Sequence, residues 1–125
     1  MEHPQEIFMK NAIKEAKSAL ARGDYPLGAV VVMDNKIIAT AQTTLIETND
    51  PSAHAEMNAI RKAAKIMKSR YLEGAWLYST QEPCPMCAGV AVWAKMAGIV
   101  FGATKKETSA IRKPGSKTIF DCKSF

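Results

Sequence analysis

His54, Glu56, Cys84 and Cys87 are the residues of this chain best suited to act together chemically. They stand in two short clusters, Pro51-Ser52-Ala53-His54-Ala55-Glu56 and Glu82-Pro83-Cys84-Pro85-Met86-Cys87. One imidazole and two thiolates form a three-ligand set for zinc and leave a fourth position for water. A carboxylate two residues from the histidine is placed to move that water's protons. The Cys-x-x-Cys pair also reads as a redox dithiol, but that reading gives His54 and Glu56 no task. A structural zinc normally takes four protein ligands. The spare donors are His3, near one end, and Cys122, near the other. The set therefore reads as a catalytic site for one Zn2+ per chain.

Local patterns place both clusters where a loop enters a helix. Residues 5–22 read as an amphipathic helix with Ile7, Phe8, Ala12, Ile13, Ala16 and Leu20 on its apolar side, ended by Gly23 and Pro26. The run Leu27 to Met33 reads as a strand buried on both faces, and Asp34-Asn35 turns it back into Lys36 to Gln42. Residues 43–53 read as a loop. A second helix starts near His54 and reaches about Lys68, with Met57, Ile60, Ala64 and Met67 as its apolar face. A strand from Ala75 to Thr80 leads to a third helix, from Pro85 to about Met96, capped by Gly98. Ile99 to Ala103 reads as a further strand and Thr118-Ile119-Phe120 as one more. The fold expected is α/β, a three-layer α-β-α sandwich. Its central mixed sheet has about five strands and begins with an antiparallel hairpin. Both thiolates then gain from a helix N-terminus, where backbone N–H groups and the dipole favour negative charge.

The 125 residues suit a single domain, with a core over 5–105 and a short basic tail over 106–125. No apolar run approaches the roughly 20 residues of a membrane span. The polar N-terminus does not read as a signal peptide, so a cytoplasmic location is expected. Net charge is +5. The excess lies in Lys10, Lys14 and Lys17; in Arg61, Lys62, Lys65, Lys68 and Arg70; and in the tail. It reads either as solvated helix faces or as a footprint for phosphates.

His-x-Glu followed by Pro-Cys-x-x-Cys is the signature of zinc-dependent nucleobase deaminases. On it the chain resembles the cytidine deaminase-like superfamily. More narrowly, it is similar to the branch of guanine deaminases, free-base cytosine deaminases and tRNA adenosine deaminases. The similarity runs over about 5–105 and includes Pro26-Leu27-Gly28-Ala29-Val30, Asn49 to Glu56, Glu82 to Gly89, and Val100-Phe101-Gly102-Ala103. It implies hydrolysis of an exocyclic amine to a carbonyl with loss of ammonia, with His54, Cys84 and Cys87 as metal ligands and Glu56 as the proton carrier. It also implies a base pocket lined by Gly28, Ala29 and Ala55, with the backbone after Pro83 near the leaving amine. A homodimer through the ligand-bearing helices is implied too, and Trp93 reads as a core or dimer-contact residue.

The chain departs from the family at two places. An asparagine that usually follows the second strand is replaced by Thr43, whose hydroxyl cannot offer the amide's matched donor and acceptor. Asn49 takes over that role if its loop folds inward. The chain also stops at Phe125, where relatives continue with helices that close the pocket. The leading expectation is a free purine base such as guanine, for which Asn49 and Trp93 speak. Adenosine in a tRNA anticodon loop is the first rival, favoured by the basic tail. Cytosine is another substrate alternative, and a non-catalytic zinc-bearing scaffold subunit, in which Glu56 has no task, is an alternative of another class.

Overall fold

The computed structural model describes residues 3–103. Helix α1 spans Glu6–Ala21, and the hairpin is β1 (Gly28–Met33) and β2 (Lys36–Gln42). A one-turn helix α2 (Leu45–Thr48) interrupts the stretch expected to be all loop, and α3 (Ala55–Met67) follows. The rest is β3 (Trp76–Gln81), α4 (Pro85–Trp93) and β4 (Gly98–Ala103). The sheet order is β2-β1-β3-β4, with β1 antiparallel to both neighbours and β3 parallel to β4. Four strands lie among the described residues. The fifth expected strand, at 118–120, and Cys122 lie outside them.

Strand alternation divides the core into two layers. Val30, Val32 and Tyr78 face Phe8 and Ala12 of α1. Ala29, Val31 and Leu77 face the other way, onto Ala55, Ala59, Ile60 and Ala63 of α3 and Ala91 at the α4 end. This is the expected α-β-α arrangement. Asp34 and Asn35 both take positive φ (50° and 62°), the conformation that a two-residue turn needs to match the strand twist.

Two apolar faces differ from the pattern reading. In α1 the buried residues are Phe8, Ala12, Ala16 and Ala19, while Ile7, Ile13 and Leu20 are exposed. A stripe of small side chains lets α1 approach the sheet so closely that the larger residues are left at its flanks. Gly28 is the other half of that contact. A Cβ there would lie 2.1 Å from the Ala12 carbonyl oxygen and 2.6 Å from the Ala16 nitrogen. In α3 the buried face turns toward Ala59 and Ala63, and Met67 is exposed. Helix α4 ends at Trp93 rather than near Met96. Lys95, at φ 57°, turns the chain. Gly98 instead opens β4, where a Cβ would strike the Trp76 ring at 2.5 Å.

Candidate metal and deamination site

The site forms where three strand ends meet two helix N-termini. Antiparallel pairing brings the start of β1 beside the end of β2, with Gly28 opposite Gln42. The Gly28 N–H donates to Thr80 Oγ1 near the end of β3 (3.2 Å), so all three ends share one edge. His54 is the N-cap residue of α3 and Cys84 that of α4, and neither side chain caps its own helix. An N-cap position normally carries a small polar side chain that bonds the exposed N–H groups. Here both cap side chains point toward each other instead. Pro83 precedes Cys84 and is buried, and Pro85 opens α4 at a position that needs no N–H.

His54 Nδ1 lies 3.5 Å from Cys84 Sγ and 3.7 Å from Cys87 Sγ, and the three donor atoms are all within 4.8 Å of one another. Tetrahedral zinc with ordinary Zn–N and Zn–S bonds separates nitrogen from sulfur by about 3.6 Å. The donor set therefore fits zinc in size as well as in type. The thiols are electrostatically coupled. The Cys84 thiol is drawn down to about 3, first because Cys87 donates to its thiolate. Serving as that donor raises the Cys87 thiol well above its usual range, and burial adds to the rise. A dication between the sulfurs removes the conflict, because coordination deprotonates thiols outright.

Glu56, in the first turn of α3, is only 4% exposed. Burial raises its carboxyl above the ordinary range, although a bond from Cys87 and the His54 charge pull the other way. A carboxyl held in this way is suited to passing a proton back and forth. Ala55 is fully buried beside it.

The remaining expected residues are spread around this centre. Ala29 faces the α3 side of the sheet and Gly28 faces α1, so Gly28 meets the site only through its backbone. Thr43 is fully buried, and its Oγ1 finds no hydrogen-bond partner among the described residues. Asn49 is exposed and closes α2 in a left-handed conformation (φ 50°), a capping task that suits asparagine. Trp93 is 83% exposed, so within this chain it is not a core residue. Its neighbours Ile60, Ala64, Tyr71 and Val90 line an apolar groove of about 310 Å³.

Sequence reasoning missed Asp24 and Asn58. Asp24 is buried at 5% exposure, and its Oδ2 accepts the N–H groups of Ile46 (3.1 Å) and Glu47 (3.4 Å), while Oδ1 accepts that of Tyr25 (2.8 Å). One carboxylate thus ties the start of α2 to the entry of β1. A buried acid at the end of a helix looks like any turn residue in sequence, because its partners lie more than twenty positions away.

Fold and site together define a zinc-type deaminase domain. The chain belongs to the family described as the cytidine and deoxycytidylate deaminase zinc-binding region, which matches residues 2–103. Its members are hydrolytic deaminases. The tRNA-specific adenosine deaminase of Bacillus subtilis (strain 168) is 52% identical over 99 residues, covering 78% of this chain and 61% of that protein. The guanine deaminase of the same organism is 42% identical over 99 residues, covering 78% and 64%. The tRNA-specific adenosine deaminase of Aquifex aeolicus is 40% identical over 107 residues, covering 86% and 71%. The chain thus spans about two thirds of the length of these relatives. In three dimensions, a Bacillus subtilis guanine deaminase superposes with a TM-score of 0.82 at 35% identity over 94% of this chain and 83% of its own. A tRNA:A34 deaminase gives 0.80 at 35% identity over 94% and 90%. Among the described residues no helix is long and apolar enough to cross a membrane.

Proposed function

We propose that the chain hydrolyses the exocyclic amine of a nucleobase, with His54, Cys84 and Cys87 as the zinc ligands and Glu56 as the proton carrier. The observation that carries the reading is the 3.5 and 3.7 Å spacing of the three donors, with a buried carboxyl beside them. Zinc held there supplies a Lewis acid that makes hydroxide available near neutral pH. Glu56 takes the proton from the attacking water and delivers it to a ring nitrogen, so that the amine-bearing carbon becomes tetrahedral. Glu56 then carries the proton of the new hydroxyl to the amine, the carbon–nitrogen bond breaks, and ammonia departs as the carbonyl forms. The start of β1, the end of β3 and the segment from Thr43 to Ala53 would bound the space a base enters, with Ala29, Ala55 and the backbone after Pro83 as lining residues.

For the substrate, adenosine within tRNA is the reading we favour. Over equal lengths of 99 residues, identity is 52% to a tRNA adenosine deaminase and 42% to a guanine deaminase. The cationic excess of the chain agrees with a polyanionic substrate. Guanine is the second reading, favoured by the superposition at a TM-score of 0.82. A homodimer through α3 and α4 accounts for the exposed Val92 and Trp93 and the apolar groove beside them.

The test is ammonia release by zinc-loaded protein from guanine, adenine, cytosine, their nucleosides and an anticodon stem-loop bearing adenosine. Turnover of the stem-loop, with rates falling steeply as salt rises, is the expected result. Turnover of guanine alone selects the second reading. Zinc bound with no release from any of them removes the proposal.

A further inference from the structure

We infer that Asn58 is a positioning residue, the clasp that closes the 43–53 segment and so sets His54 and Thr43 in register with the two cysteines. The inference rests on the zinc reading above. Asn58 lies one helical turn after His54, and its backbone N–H donates to the His54 carbonyl (2.9 Å). Its amide Nδ2 donates to the Gln42 carbonyl (2.9 Å) and Thr44 Oγ1 (3.1 Å), just before and just within the segment's start. The same nitrogen approaches the Ala53 carbonyl at its end (3.4 Å). The backbone closes the segment at the same place, Thr44 N–H to Ala53 carbonyl at 3.0 Å. One side chain therefore joins the residues flanking Thr43, namely Gln42 and Thr44, to the residue preceding the metal-ligand histidine.

Asn58 sits at a half-buried position on the wall of a polar cavity of about 390 Å³ shared with Glu15, Gln42 and Lys62. A purely structural role has a ready comparison in that wall. Lys62, one turn further along α3, donates to the Thr40 carbonyl at 3.0 Å on the same edge strand. Among the described residues Lys62 bonds the strand and neither end of the segment. If Asn58 only covers the strand, the two residues are equivalent. If it is the clasp, only Asn58 controls the histidine.

The experiment compares zinc release to a chromogenic chelator from Asn58→Leu, Asn58→Ala, Asn58→Gln and Lys62→Ala, beside hydrogen exchange of the 43–54 amides in the zinc-free proteins. The clasp predicts zinc release faster by about tenfold in Asn58→Leu and Asn58→Ala, as for other groups that orient a metal ligand. It predicts faster exchange at Thr44, and wild-type behaviour in Lys62→Ala. Asn58→Gln keeps the donor, has the cavity to extend into, and restores the slow rate. Asn58→Ala is smaller than asparagine, so it reads out the clasp even where Asn58→Leu overpacks. Zinc release and Thr44 exchange at the Lys62→Ala level in both truncating variants overturn the inference. Neither readout uses a substrate, so failure here leaves the deamination reading intact, and failure of that reading leaves the exchange result decisive.

Discussion

Replacing Gly28 with alanine tests the close approach of α1 to the sheet. The added methyl would lie 2.1 Å from the Ala12 carbonyl oxygen, 2.6 Å from the Ala16 nitrogen and 2.8 Å from Glu15 Cβ. An ordinary carbon–oxygen contact is about 3.4 Å, so the helix must retreat by about 1 Å, and its backbone cannot rotate aside as a side chain can. Overpacking of this kind costs about 3 kcal/mol, the upper part of the usual range. At about 2.1 cal/mol/K per residue over the 125 residues, that lowers Tm by about 11 °C. The assay is thermal unfolding of zinc-loaded protein followed by circular dichroism, with zinc content measured beforehand. The zinc ligands are untouched, so one metal per chain is expected in the variant. A Tm within about 2 °C of wild type would refute the argument, since it would mean that α1 is free to move away from β1.

Other outcomes follow from the same geometry. Thr43→Val removes a buried hydroxyl that has no partner and should leave stability unchanged or raise it by about 1 kcal/mol in urea unfolding. Asp50 accepts bonds from the Ser52 hydroxyl and N–H, which hold its carboxyl below 3.8. Its contribution to folding is thus complete above that value and lost as pH falls through the lowered one; carboxyl-carbon NMR should show the depression, and Ser52→Ala should shrink it. Trp93→Asp should halve the mass measured by light scattering, because a charge then occupies the apolar face proposed for the dimer.

Much of this molecule was legible in sequence because its determinants are local. The metal set is written in two clusters of six residues, and the hairpin in Asp34-Asn35 between apolar runs. The apolar faces were harder to read. Periodicity ranks residues by hydrophobicity, so it chose Ile7, Ile13 and Leu20 for the core of α1. The structure buries Phe8, Ala12 and Ala16 of the expected face, adds Ala19 and leaves those three exposed, because Gly28 on a distant strand makes room for close packing. Gly98 was read as a helix cap from its place after α4, yet the Trp76 ring across the sheet explains it. Asp24 and Asn58 give little local signal, since most of their partners are well separated from them along the chain. Substrate choice is less local still. Thr43 and Asn49 were both visible, but only the fold separates the buried unpartnered hydroxyl from the exposed cap.

In the proposed reaction Glu56 carries the protons for a metal held by His54, Cys84 and Cys87. The most direct measurement is the rate of ammonia release by zinc-loaded Glu56→Gln, from whichever substrate the wild type turns over. One zinc per chain is expected, with a rate lower by at least about a hundredfold, the usual contribution of a positioned acid–base group. A zinc-replete variant within tenfold of wild type would contradict it.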